Sequence, residues 1–414
     1  TRIYTMEYIK RPHYLKKIEP FIDQELIKII VGQRRVGKSY FLYQIMDKIK
    51  REKPQAKIIY INKELYKFDS LKNSDDLYNY IKTESQDNKN YVFIDEIQEI
   101  ENYEKAVRSL LAEQRFDIYC TGSNASMFSS EFSTVLSGRY IEIKMHSLSY
   151  PEFLIFHKLE NTPDSLMKYI KYGGLPYLYN LELKDEIVYE YIKNIYNTIV
   201  LKDVVIRKNI RNVDLLENLI SYLASNCGSI ISAKKITDFL KSQKIRIQAK
   251  TVGNYLQYLV ESYFINKVRR ARIRGKKIFE FGEKYYFEDL GLKHSIRRYT
   301  QQDIGKVLEN MVYNHMKFKG FNINVGKLGD KEVDFVCQKG DQKIYIQVCY
   351  LIPDKKVYAR EFGNLLKIED NYPKMVISMD QSIGNSYKGI EHLHIRDFLV
   401  DFDAFSKDRI VGDM

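Results

Sequence analysis

Residues 26–40, LIKIIVGQRRVGKSY, constrain this chain more than any other stretch. Residues 26–31 form an apolar, β-branched run that reads as a buried strand. The run meets Gly32 and continues as Gly32-x-x-x-x-Gly37-Lys38-Ser39, then FLYQIMDKI with apolar residues at helical intervals. Strand, GxxxxGK(S/T) turn and helix together make a phosphate-binding loop; the turn alone would match by chance. Gly32 and Gly37 let the backbone approach phosphate without a Cβ in the way. The backbone of Gly32, Gln33, Arg34, Arg35, Val36 and Gly37, with the helix start at Lys38, Ser39 and Tyr40, then faces an anion. Lys38 can reach the β- and γ-phosphates of ATP, and the Ser39 hydroxyl can hold Mg²⁺.

Further along, YVFIDEIQEI sets four apolar residues before Asp95-Glu96. A buried strand delivers such acids to the carboxyl edge of a parallel sheet, beside the phosphate loop. Asp95 is the expected Mg²⁺ ligand and Glu96 the group that orients or deprotonates the attacking water. A strand at 116–120 ends in Thr121-Gly122-Ser123-Asn124, where Asn124 or Ser123 would sense a γ-phosphate. The same residues also suit a turn or a helix cap. Ser137-Gly138-Arg139 precedes a strand at 140–144; Arg139 is either an arginine finger or a surface residue. Strands and helices alternate throughout, so a P-loop α/β sheet, parallel and covered by helices on both faces, is expected over residues 1–160. The lead-in before it carries Tyr8, Ile9, Arg11 and Tyr14, read either as packing near adenine or as a packing helix.

With GQRRVGKS, FIDEIQ, CTGSNA and LSGRYIEIKMHSLSYPEFL in view, the chain resembles prokaryotic AAA-superfamily ATPases that carry a C-terminal domain of unknown function. YGGLPYLY (172–179) and FEDLGL (287–292) extend the resemblance over nearly the whole length. It implies an ATPase core, a helical and winged-helix-like middle over 161–300, and a restriction-endonuclease-like α/β domain over 301–414.

The middle has its own signals. Between residues 201 and 280 there are 17 Lys and Arg against 6 Asp and Glu, most of the chain's net +12. That asymmetry suits a nucleic-acid partner, and equally a basic surface without one. Helical spacing occurs at 191–207, 215–225, 233–241 after a Ser232 cap, and 250–261, with Val252, Tyr255, Leu256 and Leu259 on one face. Two β-like runs follow at 264–268 and 277–281, joined by RRARIRGK. Helix, turn, helix and basic hairpin suggest DNA contact through residues 246–277, with Arg269, Arg270, Arg272, Arg274, Lys276 and Lys277 as a wing. A packing or hinge module, or a protein partner, is the alternative.

The last segment reads as helix, three strands, helix and strand, with Glu309 on the first helix, Asp334 on the second strand and Gln347-Val348-Cys349 on the third. Active endonucleases of the resembled fold carry a carboxylate and a lysine at the third position. Gln347 is neutral and Cys349 brings no ammonium, so a degenerate site is expected unless Lys355 or Lys356 reaches in. Four scattered cysteines suggest reduced thiols. The absence of a signal-peptide core and of a long apolar run leads to the expectation of a cytoplasmic chain without a membrane span. Oligomeric state has no signature here.

Overall fold

The computed structural model describes residues 8–125, 136, 138–273, 282–381 and 386–407. They fall into two compact units, Thr1–His146 with Glu261–Tyr263, and Ser147–Val260 with Phe264–Met414.

The first unit is built on five strands: β1 (Ile27–Val31), β2 (Lys57–Asn62), β3 (Asn90–Asp95), β4 (Phe116–Gly122) and β5 (Tyr140–Lys144). They pair in the order β2-β3-β4-β1-β5, every pair parallel. This is a mixed α/β P-loop architecture. Helices α1 (Pro12–Ile18), α2 (Lys38–Glu52), α3 (Ser74–Glu84) and α4 (Tyr103–Ala112) supply the crossovers and the lead-in. Period-2 alternation sends Ile27, Ile29, Val31, Val92, Ile94, Ile118 and Cys120 into one core with Leu77 and Ile81 of α3 and Val107 and Leu110 of α4. Burying each such side chain contributes about 1.5–3 kcal/mol, so this face dominates the unit's stability. On the alternate positions, Phe93 and Tyr119 stack with ring centroids 4.6 Å apart. Beneath Tyr119 lies a buried ion pair, Lys28 with Asp117, both fully enclosed. Asp117 also accepts from Tyr119 Oη and Asp23 N, at 2.8 and 2.9 Å.

The second unit starts with helices and closes with a sheet. The helical run expected over 191–207 is an α-helix, Asp185–Thr198, that widens into a π-helix, Ile199–Ile206. Ser232 caps the helix Ala233–Ser242 through Lys235 N at 3.2 Å. The helix Ala249–Glu261 buries Val252, Tyr255, Leu256 and Leu259, the face that the spacing marks. Eight strands follow: β6 (Ile265–Arg272), β7 (Glu283–Phe287), β8 (Asn322–Leu328), β9 (Lys331–Lys339), β10 (Gln342–Val348), β11 (Lys374–Ser378), β12 (Ser386–Tyr387) and β13 (Ile390–His394). Their order is β12-β13-β11-β10-β9-β8-β6-β7. The β6–β8 pairing is parallel and carries one sheet across the boundary expected near residue 300. The expected strand over 277–281, with Arg274, Lys276 and Lys277, lies outside the described residues. The partner of β6 is instead β7, whose EKYYF alternates less clearly.

YGGLPYLY and FEDLGL meet within this unit. Asp289 accepts from Gly174 N at 2.8 Å and from Leu292 N at 3.2 Å. Gly173 sits at φ +74°, and a Cβ there would lie 2.3 Å from Asp289 Oδ1. Both motifs therefore have a packing reason, a buried carboxylate threaded between backbone N–H groups.

Candidate functional site

Strand β1 lies between β4 and β5, so the loop after Val31 emerges next to the carboxyl ends of both neighbours. Gly32 adopts φ +145°, and a Cβ on it would come 2.3 Å from Met145 O, just beyond β5. Met145 N donates to Val31 O at 2.7 Å and fixes this close approach. Arg35 (φ 67°) and Gly37 (φ 96°) turn the chain back into α2, which begins at Lys38. A run of such turns ending at a helix N-terminus orients N–H groups toward an anion.

Lys38 is buried, its Nζ donating to Gly32 O and Gln33 O at 3.1 Å each. The ammonium is thereby folded over the loop it would share with phosphate. Glu96 Oε1 stands 3.9 Å from it. Gln33 is fully buried, and neither its amide oxygen nor its nitrogen has a hydrogen-bond partner among the described residues. An orphaned polar group of this kind costs about 1–3 kcal/mol unless something else satisfies it.

Asp95 and Glu96 end β3, one strand away from β1 across β4. Thr121, at the end of that intervening strand, links them. Its hydroxyl donates to Asp95 Oδ1 at 2.5 Å and accepts from Glu96 N at 2.8 Å. Burial pushes the Asp95 carboxyl above its ordinary value, against the hydrogen bonds from Ser39 and Thr121. Ser39 and Asp95 thus already face one another. Burial also acts upward on Glu96, but Lys38 and then Arg34 outweigh it and hold this carboxyl below its ordinary value. Glu96 therefore favours its ionised form. It sits in the left-handed region (φ 56°, ψ 52°), where Ser123 Oγ donates to it at 3.3 Å and Gln98 Nε2 also donates. Asn124, beside Ser123, is buried at 1% exposure.

The residues present fit a nucleotide with Mg²⁺. The loop has room for no side chain at Gly32, Ser39 and Asp95 offer hard oxygen donors, and the buried Asp95 carboxyl lacks a full compensating charge. Tyr40 is exposed on the first turn of α2, while Val36 is buried and its carbonyl accepts from Arg11 Nη1 at 3.1 Å. Arg11 also donates to His146 O at 3.0 Å, and its backbone N–H to Gln44 Oε1 at 3.0 Å. The lead-in is therefore a brace for the loop, with Tyr14 packed edge-on against Phe41. Arg11 in the lead-in and Thr121 at its strand end are visible in the sequence, but no local signal gives Arg11 the loop carbonyls or Thr121 the two acids as partners.

Arg139 is corrected by register. Ile27 pairs with Tyr140 and Val31 with Lys144, so Arg139 lies at the amino edge of the sheet while the phosphate loop leaves from the carboxyl edge. Four strand residues at about 3.3 Å each separate the two levels, on the order of 13 Å. Arg139 is exposed and cannot act on its own chain's phosphates.

Two other groups move as well. Arg270 is not free for a wing, because it faces Glu332 at 3.9 Å, within the pairing of β6 and β8. Glu309, Asp334 and Gln347 do converge. Gln347 Oε1 accepts from Asp334 N at 3.3 Å, and Val348 N donates to Asp334 Oδ2 at 2.9 Å. The cation beside the carboxylates is neither Lys355 nor Lys356, both exposed, but Lys284 of β7, at 2.7 Å from Glu309 and 3.6 Å from Asp334. All four cysteines are buried thiols, and burial raises each of them. Among the described residues no helix is long and apolar enough to cross a membrane.

Residues 24–154 match the family described as an AAA domain. Residues 163–303 match a domain of unknown function (DUF8612), which places that family on the middle of the chain rather than its end. An uncharacterized protein of Haemophilus influenzae is 34% identical over 400 residues, covering 95% of this chain and 98% of the relative. One of Methanocaldococcus jannaschii is 33% identical over 365 residues, covering 83% and 79%. Among solved structures, the Aeropyrum pernix ORC1 protein in complex with DNA matches at 10% identity, 70% and 92% coverage and TM-score 0.34. AMPPCP-bound DnaA from Aquifex aeolicus matches at 14% identity, 63% and 92% coverage and TM-score 0.31. A likeness that weak carries no argument about function.

Proposed function

We propose that this chain, which belongs to the same family as the Haemophilus influenzae protein and carries an AAA domain, is an ATP-hydrolysing switch. The observation that carries the proposal is the single hydroxyl of Thr121 joining Asp95 to Glu96, with Glu96 3.9 Å from the loop lysine. The backbone of residues 32–39 cradles the phosphates, and Lys38 leaves its loop carbonyls to follow the β- and γ-phosphates. Ser39 and Asp95 would hold Mg²⁺, which would supply positive charge beside the phosphate oxygens. Glu96, kept ionised by Lys38 and Arg34, takes the proton of the attacking water. Ser123 holds the Glu96 carboxylate in place, and Asn124 reports the γ-phosphate. ATP turnover by the wild type, Lys38→Ala and Glu96→Gln tests this reading: both variants should fall at least a hundredfold. Equal turnover in all three would sink it.

A second reading, nucleic-acid engagement coupled to nucleotide state, is supported by one surface. The helices Ala233–Ser242 and Ala249–Glu261 bury Ile236, Leu240, Val252, Tyr255, Leu256 and Leu259, and with the segment between them leave Lys234, Lys235, Lys241, Lys244, Arg246 and Lys250 exposed. A DNA titration across a salt series checks it. Contact by several of these cations gives a steep decline of affinity with salt, and weak binding without a slope removes the reading. Docking of a protein partner would leave the same titration flat. In this scheme the last segment, with its restriction-endonuclease-like element order, is a platform rather than a nuclease.

A further inference from the structure

Three carboxylates of the second unit meet on one buried ammonium. Lys284, 4% exposed at the side chain, has its Nζ 2.7 Å from Glu309 Oε1, 2.8 Å from Glu332 Oε1 and 3.6 Å from Asp334 Oδ1. The residues come from three places: Lys284 from β7, Glu309 from the helix Ile304–Phe318, and Glu332 and Asp334 from alternate positions on one face of β9. Tyr286 Oη adds a hydrogen bond of 2.6 Å to the same Glu309 oxygen, and Arg270 stands 3.9 Å from Glu332 Oε2.

Converging carboxylates cannot all ionise out of water unless a cation sits among them. Proteins commonly meet that need with a divalent ion bound by oxygen ligands. Here the place is taken. We infer that Lys284 is a resident counter-cation, occupying the position between Glu309, Glu332 and Asp334 that a divalent ion would need. The cluster therefore serves as a metal-free lock between β7, β9 and the helix Ile304–Phe318. Burial acts downward on Lys284, but Glu309, Asp334 and Glu332 outweigh it and hold the ammonium charged well above its ordinary range. Lys284, even with Arg270 at 3.9 Å from Glu332, does not balance three anions, and Asp334 is accordingly pushed up, by burial first and by Glu309 next. Among the described residues no group of three or more His, Cys, Asp and Glu is arranged to hold a metal ion, in keeping with a cluster opened around a lysine.

The test uses the full chain without nucleotide and Mn²⁺ as the probe, read by electron paramagnetic resonance and by thermal unfolding. Wild type and Asp334→Asn should bind Mn²⁺ alike, because the cluster takes none. Lys284→Ala should unfold at lower temperature in metal-free buffer. It should then bind Mn²⁺ at least tenfold tighter than wild type and regain unfolding temperature with it. The double variant Lys284→Ala/Asp334→Asn should lose that gain. Lys284→Met, whose stem still fills the space, should be destabilised without Mn²⁺ rescue. Mn²⁺ bound by wild type and lost in Asp334→Asn would overturn the inference, a readout that holds even if Lys284→Ala does not fold. A Lys284→Ala protein as stable as wild type, or one that gains no Mn²⁺, would overturn it too.

Discussion

Replacing Thr121 by Val tests the site at its joint. The side chain keeps its shape and loses only the hydroxyl, which is fully buried, donates to Asp95 at 2.5 Å and accepts from Glu96 N at 2.8 Å. A hydrogen bond to a charged acceptor contributes about 1.5–3 kcal/mol, and a buried N–H left without an acceptor costs about 1–3 kcal/mol. The expected loss is about 3–5 kcal/mol, since neither group gains water in exchange. For a unit of this size each kcal/mol moves the midpoint by about 2–4 °C, so thermal unfolding should fall by about 10 °C. Activity should suffer separately. Glu96 is held at φ 56°, a conformation that persists only while its surroundings enforce it, and that bond is one of the enforcers. Turnover of ATP should drop tenfold or more, and the acid limb of its pH profile should move to higher pH. The sign follows from Asp95. Burial raises it and Thr121 lowers it, so losing the hydroxyl raises it further and the ionised form is reached later on the way up in pH. Thr121→Ser, which restores the hydroxyl, should recover most of both effects. If Thr121→Val unfolds within about 2 °C of wild type, or turns over equally well, the hydroxyl does not join the two acids.

Other outcomes follow from the same geometry. Gly32→Ala should abolish nucleotide binding in a fluorescent-ADP titration, because its Cβ would meet Met145 O at 2.3 Å; binding within twofold of wild type would contradict the close approach. Arg139→Ala should leave ADP affinity unchanged, as the residue stands at the far edge of its own sheet, and a tenfold loss would contradict the register. Lys28→Ala should destabilise the first unit by about 3–5 kcal/mol in denaturant unfolding, since it strands the enclosed Asp117; Lys28→Ala/Asp117→Ala should be milder than the single change. Stability of the second unit should decline as pH rises above the ordinary aspartate range near 3.8, because the fold raises Asp334 and favours its protonated form. Asp334→Asn should flatten that decline, and an unchanged slope would show the proton is held elsewhere.

Local signals carried much of the molecule. The strand Tyr140–Lys144 has the bounds that its run suggests. The helix Ala249–Glu261 buries the face that its spacing marks. These properties belong to a few consecutive residues: alternation, 3.6-residue periodicity, a cap, a glycine turn. The phosphate loop is equally local, a strand, a turn and a helix in 25 residues or so of order, and it could be read without knowing any neighbour.

What the chain could not disclose on its own is which strands become neighbours, and at which level. Periodicity tells a strand which face to bury but not what lies beside it. The order β2-β3-β4-β1-β5 puts Thr121 between Asp95 and the loop, and the β1–β5 register carries Arg139 away from it. Pairing of β6 with β8 brought Lys284 from a different stretch of sequence to Glu309 and Asp334, where Lys355 and Lys356 lie nearer to Asp334 along the chain. The phosphate loop was determined by contiguous residues because its chemistry is done by backbone. The side chains that complete it, and the lysine that fills the second cluster, were decided only when the sheets closed, since a charge finds its partner through space rather than along the sequence.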